Sequence, residues 1–215
     1  MTEHSLGKII GEIGSEDRLL TACIALILVA VIGLLTGPLG ANANPFLWNV
    51  IDKVFGGVAR KTYNVERTPS SLKFRGGFFT VLYILAAVVL GCAAHMVVRW
   101  YGFNGFTEPV LLALALTGGT VWFSLNRLYH ALGGAKKLEK GSYRPIAVST
   151  RSNLNSTDDF GITRVGVGFM AQSFDKGVVA PLFWYLIGGM PLAYLYAGIA
   201  AARWGLAKDG FAKGL

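Results

Sequence analysis

Charge is what this chain has least of. Asp, Glu, Lys and Arg make up 15% of its 215 residues, against about 25% in soluble domains. The shortage is concentrated: residues 19 to 51, 76 to 98, 109 to 126 and 177 to 202 contain none of the four. Roughly 20 apolar residues cross a bilayer core as helix, so each gap can hold one passage. That argues against a water-soluble globule. Cysteine is also scarce. Cys23 and Cys92 both lie in apolar gaps, which leaves no disulfide framework and no paired-cysteine metal site. His4, His95 and His130 are too scattered for zinc. A formal net charge of +8 could suggest nucleic acid, but a hydrophobic fraction of 53% and a mean hydropathy of +0.50 fit lipid as the partner, with the positive charge setting topology.

What is present reads as an all-α, polytopic integral membrane bundle forming a single domain over residues 1 to 215. Crossings are predicted at about 19 to 35, 78 to 98, 109 to 125 and 177 to 202. The first stops at Gly37-Pro38. After it, Ile51, Val54, Phe55 and Val58 recur at helical spacing with Lys53, Arg60 and Lys61 on other faces, which predicts an interfacial amphipathic helix. Leu6, Ile9, Ile10 and Ile13 predict a second surface helix near the N-terminus. Ala41-Asn42-Ala43 has the form of a signal cleavage site, but the leader carries Glu3, Glu12, Glu16 and Asp17 where a signal peptide is basic. The last stretch is interrupted by Pro181, Gly188-Gly189 and Pro191, so a bent helix and a short hairpin are both open. Gly189, Ala193, Ala197 and Ala201 form a small-residue ridge suited to close helix packing. Six of the 20 basic residues fall in 37 to 75 and eight in 126 to 176. Positive-inside then places both segments in the cytoplasm and the protein in the inner membrane, with both termini outside if the last stretch crosses.

Generic catalytic motifs are missing. There is no phosphate-cradling P-loop, no Gly-x-Ser-x-Gly elbow and no His-Glu-x-x-His. Gly166-x-Gly168-x-x-Ala171 imitates a dinucleotide fingerprint without the strand that one requires. The informative stretch is Arg164 to Tyr196, where a charged helical run meets an apolar, proline-punctuated, aromatic segment. Its Gly177-Val-Val-Ala-Pro181-Leu-Phe-Trp184-Tyr185 run, followed by Gly188-Gly189-x-Pro191 and Tyr196, closely resembles the hallmark of the CobD/CbiB family, the adenosylcobinamide-phosphate synthases of cobalamin biosynthesis. Asn44-Pro45, Arg75-Gly76, Arg151 and Arg164 extend the likeness over most of the chain.

The resemblance implies a membrane ligase that uses ATP and Mg²⁺ to join aminopropanol or its phosphate to adenosylcobyric acid. By the same resemblance, Gln172 stands at a catalytic position and Arg151, Arg164, Ser173, Pro181 and Trp184 bind substrate, while two replacements for lost family carboxylates are open: Asp175, one position before a family Asp, in catalysis, and Asp158-Asp159 in holding the metal with phosphate. Membrane lipid and a corrinoid are the implied partners. A further subunit is implied too, because a family region beyond Tyr196 is absent. The departures from the family pattern are pointed. Gly168, Gln172, Ser173 and Lys176 stand where the family carries three acidic residues and an amide, Ser152 stands for an Asp, Asn44 for a His and Leu47 for an Arg. Neither Gly168 nor Gln172 can bind Mg²⁺ as a carboxylate does or take a proton from an attacking amine. These losses favour the alternative, a non-catalytic membrane subunit or signalling modulator similar to AmpE of the same superfamily. Arg151 and Arg164 also have a purely topological reading, and Trp184 and Tyr185 one as an interfacial aromatic belt.

Overall fold

The computed structural model describes residues 16–62, 69–100, 105–132 and 138–206, so most of the predicted N-terminal surface helix lies outside the described residues. Among them all regular secondary structure is helical. Helix α1, Glu16–Thr36, ends where Gly37 turns left-handed at φ 66° and its N–H bonds back to the Gly33 carbonyl at 3.0 Å. Short helices follow: α2, Phe46–Ile51, a π-helical turn, Asp52–Gly56, and α3, Gly57–Thr62. Then come α4, Pro69–Trp100, α5, Thr107–Ala115, α6, Gly119–Leu132, α7, Lys140–Thr150, and α8, Asp159–Phe174. A second π-helical turn, Asp175–Val179, leads into α9, Ala180–Leu206.

Three runs, Asp17–Thr36, Lys73–Trp100 and Asp159–Leu206, are long and apolar enough to cross a membrane, and the bent pair α5–α6 makes a fourth. Helices α1 and α4 expose Ile27, Val31, Leu85 and Val89, an outer surface suited to lipid. The architecture is that of a helical membrane protein. Three sequence expectations change. The stretch 109 to 125 is not one helix: α5 stops at Ala115, Leu116 is extended, and α6 leaves at 46°. The segment 126 to 176 is not a loop but is largely α6, α7 and α8. The surface helix after α1 does not present one apolar face. Ile51 is buried and Phe55 lies against the Tyr83 ring at 5.9 Å, but Val54 and Val58 are exposed, because the π-turn widens the helix and rotates later positions away from the expected stripe.

The last run does not continue as a rod. Lys176 and Arg203 line the same cavity, whereas a straight helix would set residues that far apart in sequence roughly 40 Å from one another. The chain reverses at Gly188 (φ −133°, ψ 18°) and Gly189 (φ 66°, ψ −158°), the latter a conformation open essentially to glycine. Arg18, at the start of α1, donates to the Leu186 and Ile187 carbonyls at 3.1 and 3.4 Å, groups that the break removes from the helical ladder. Of the two readings left open by the sequence, the hairpin is the one observed. It brings the end of α9 back to the level of α8. Its returning arm packs along α4 through the predicted small residues, with Ala193, Ala197 and Ala201 fully buried and Gly198 so close to Ala87 that an added Cβ would lie 2.3 Å from the alanine Cβ.

Burial falls into two clusters. One joins α1, α2, α4, α5 and α9 through residues such as Ala25, Trp48, Tyr83, Leu112 and Tyr185. The other joins α6, α7 and α8 through Leu128, Ile146, Ile162 and Phe169. Where α1 crosses α6 the contact is backbone on backbone, since a Cβ on Gly119 would meet the Ala30 carbonyl oxygen at 2.1 Å.

Candidate functional site

A cavity of about 500 Å³ lies on the seam between the two clusters. Its walls come from five places in the sequence: Asn44 and Trp48 around the start of α2, Thr117 in the α5–α6 break, Ser149 to Ser152 at the end of α7, Gly168 to Gly177 along α8 and its π-turn, and Ala200, Arg203 and Trp204 near the end of α9. Backbone irregularity builds this meeting point. The Thr117 N–H donates to the Gly177 carbonyl at 2.9 Å, tying the α5–α6 break to the π-turn. The Thr117 hydroxyl donates to the Ala43 carbonyl at 2.6 Å, and Thr120 donates to the same oxygen at 2.9 Å. The Ala43 N–H donates to Ser149 Oγ at 2.8 Å, while the Ser149 carbonyl accepts from Asn44 Nδ2 at 3.0 Å and Trp204 Nε1 at 2.6 Å.

Arg151 closes one side. It holds the left-handed conformation at φ 53° after α7 and sends its guanidinium to three groups of its own chain. Asp52 pairs with Nη2 at 2.6 Å, the Gly205 carbonyl accepts from Nη1 at 2.6 Å, and the Trp204 ring lies 3.9 Å from Cζ. Asp52 in turn accepts from the Tyr83 hydroxyl at 3.2 Å. Behind this latch lies a second, more open cavity of about 970 Å³, bordered by Asn42, Asn49, Lys53, Lys140, Tyr143 and Arg144. Arg151, Ser152 and Trp204 line both cavities and form the wall between them.

The smaller cavity is electropositive. No carboxylate lines it, but Arg151, Lys176 and Arg203 do. Lys176 sits at the polar end of the hairpin, before its charge-free stretch. Mg²⁺ does not suit this lining, since it is held through one or two carboxylates together with substrate phosphates.

Of the residues singled out in the sequence, the structure brings Arg151, Gln172 and Ser173 to this cavity. Asp175 and Arg164 are exposed on α8 and its continuation, outside both linings. Asp158 serves as the N-cap of α8, accepting from the Gly161 N–H at 3.0 Å, and Asp159 is exposed beside it. Among the described residues no group of three or more His, Cys, Asp or Glu side chains gathers as a metal site. Pro181 is buried inside the hairpin and Trp184 is 38% exposed against the edge of Phe183, neither on a cavity wall. Sequence reasoning missed Trp48, Thr117, Arg203 and Trp204. A usable signal existed for Arg203, the first charge after the last apolar stretch. The six departures at Asn44, Ser152, Gly168, Gln172, Ser173 and Lys176 all converge on this one cavity, and only Leu47 turns elsewhere, into the core.

Comparison with known proteins places the chain in a family. The profile of the CobD/Cbib protein family matches residues 23–205. Among curated relatives, the cobalamin biosynthesis protein CobD of Brucella melitensis is 27% identical over 195 residues, covering 87% of this chain and 56% of the relative. Its namesake from Brucella anthropi is 28% identical over 141 residues, 65% of this chain and 42% of the relative. That from Rhizobium meliloti is 29% identical over 132 residues, 60% and 40% of the two chains. The matched region thus spans about half the length of these relatives. No solved structure matches the chain. The profile takes in all five walls of the cavity, and the chain belongs to the CobD/CbiB family.

Proposed function

We propose that this protein serves the aminopropanol-attachment step of cobalamin biosynthesis as a binding component of the membrane. In this reading the larger cavity receives the corrinoid, adenosylcobyric acid, and the smaller one the aminopropanol-derived reactant. The observation that carries it is the convergence of the family departures on a cavity with three cations and no carboxylate. ATP-dependent amide formation calls for Mg²⁺ and for a base to take the amine proton. This lining offers neither, and Gln172 is an amide. Catalysis is therefore assigned to groups outside this lining. The ligase reading, in which this chain itself forms the amide, would need Asp175 to turn into the cavity from its exposed position.

The same proposal covers topology. The protein sits in the inner membrane and the chain passes five times: α1, α4, the broken α5–α6, and the two arms of the hairpin. Arg203, Lys208 and Lys213 then join the basic segments 37 to 75 and 126 to 176 on the cytoplasmic side, leaving Lys8, Arg18 and Arg99 opposite. That is a stronger bias than four crossings would give.

The test is reconstitution in detergent with adenosylcobyric acid, aminopropanol phosphate and Mg-ATP. The expected result is corrinoid binding, read by its visible absorbance co-eluting with the protein, and no amide product. Product formed by the purified chain alone would replace this reading with the ligase one. Absence of corrinoid binding would overturn both.

A further inference from the structure

We infer that the wedge between α1, α5 and the start of α2 binds an anionic phospholipid of the surrounding membrane, one acyl chain entering the protein and the headgroup staying at the level of Lys53, Lys140 and Arg144. The wedge is a third cavity, of about 230 Å³. It forms where two helices stop together: α1 ends before Gly37, α5 ends at Ala115, and Gly37 and Leu116 both line the space between. Its polar side chains are already used. The Thr36 hydroxyl donates to the Ile32 carbonyl at 2.9 Å, Thr117 and Thr120 both donate to the Ala43 carbonyl, and Asn44 Nδ2 donates to the Ser149 carbonyl. Asn42 Nδ2 donates to Asn49 Oδ1, and Asn49 Nδ2 to the Pro45 carbonyl at 3.4 Å. With those groups spent, the lining presents mainly carbon to an occupant, from residues such as Leu28, Ile32, Val110 and Leu114.

The wedge opens toward lipid. Ile32, Leu39, Phe46 and Val110 on its rim are exposed and continue the outer surface on which Ile27 and Val31 lie, whereas Gly33, Gly37 and Leu116 deeper in are buried. An exposed apolar patch on a helix long enough to cross a membrane marks contact with acyl chains. Size narrows the choice further. Small-molecule and cofactor pockets run from about 300 to 1,000 Å³, so a cavity of about 230 Å³ suits part of a single chain rather than a ring system. Charge supplies the headgroup. Leu39, Asn42 and Asn49 also border the larger cavity, and Lys53, one turn beyond Asn49, lines that cavity with Lys140 and Arg144, all three exposed. Basic side chains beside membrane helices on the cytoplasmic side attract anionic lipid. The apolar exterior and this basic edge therefore meet at one place, in the order of a phospholipid's own tail and head.

The site rests on the membrane architecture and not on the reaction proposed above. The test is photo-crosslinking of the whole chain in nanodiscs doped with phosphatidylglycerol or phosphatidylcholine probes that carry a diazirine in one acyl chain, the labelled residues being read by peptide mass spectrometry. The phosphatidylglycerol probe is expected to label Ile32 and Leu114 severalfold more than Leu85 and Val89 on the outer face of α4, and severalfold more than the phosphatidylcholine probe does. Ala113→Phe, which puts a ring into the wedge, is expected to cut labelling of Ile32 and Leu114 severalfold and to leave Leu85 and Val89 unchanged. Val110→Trp at the exposed rim is expected to do the same and serves if Ala113→Phe does not fold. Lys53→Gln combined with Arg144→Gln is expected to remove the preference for phosphatidylglycerol. Elution volume and melting temperature check that each variant is folded.

Labelling spread evenly over the outer faces of α1 and α4, or indifferent to Ala113→Phe and Val110→Trp in folded protein, would overturn the site. Equal labelling by the two probes would overturn the anionic lipid as its occupant. An unlabelled wedge in a protein that elutes as a dimer would replace the lipid with a second copy of the chain. Labelling of the wedge by phosphatidylglycerol in a protein that binds no corrinoid would leave this site standing and remove the functional reading.

Discussion

At the scale of single residues, the most constrained side chain is Arg151. Both partners of its ion pair are nearly out of water, at 11% and 13% exposure, so removing one leaves the other charged and poorly solvated. Lysine cannot reproduce a fork that meets Asp52, the Gly205 carbonyl and the Trp204 face together. Arg151→Lys is expected to destabilise the protein by about 2–3 kcal/mol in thermal unfolding in detergent. A double-mutant cycle with Asp52→Asn should return a coupling of at least about 1 kcal/mol. Additive losses would show that the pair is not a latch. A second residue-scale prediction concerns Gly177, where a Cβ would lie 2.2 Å from Thr117 Cγ2. Gly177→Ala should cost about 1–3 kcal/mol. Adding Thr117→Ser, which removes that methyl but keeps the hydroxyl that holds Ala43, should recover much of the loss on the same unfolding curve.

At the scale of elements, the hydropathy pattern located nearly every apolar run, because the absence of charge over a membrane thickness has one common cause. It could not give direction. The stretch from Gly177 to Ala202 reads the same whether it crosses or doubles back, and only Gly188-Gly189-x-Pro191 hinted at the reversal. The α5–α6 break was illegible: Thr117-Gly118-Gly119 is weak punctuation inside an apolar run, and the break is fixed by hydrogen bonds to Ala43 and Gly177, far away in sequence. The cavity was half legible for the same reason. Gln172 and Ser173 lie on a helix whose importance the local motif announced, whereas Trp48 and Arg203 reach the site only through the hairpin and the crossing of α2. The reversal is directly testable. Gly189→Ala forces a side chain into a conformation essentially reserved for glycine and should cost about 1–3 kcal/mol. Gly57→Ala, with open space around it, should be neutral or slightly stabilising. Equal melting temperatures for the two variants would count against the sharp turn.

At the scale of the whole molecule, the five passes proposed above would put the two ends of the chain on opposite faces of the membrane. A fluorescent protein that matures only in the cytoplasm, fused after Leu215, is expected to be bright. A cysteine placed at Asn153 in a background lacking Cys23 and Cys92 is expected to resist membrane-impermeant maleimide in intact cells and to react in inverted vesicles. A dark fusion together with a protected Asn153→Cys would restore the four-crossing path. One architectural feature reaches further. The two clusters of buried side chains share no residue, and α8 of the second runs on through the π-turn into the hairpin of the first. A guest lodged on their seam touches both bodies, so its binding energy is added to whichever of them would otherwise let go first. An empty protein is then expected to melt in two steps and a loaded one in a single step. In this sense occupancy would make one cooperative machine out of two neighbours.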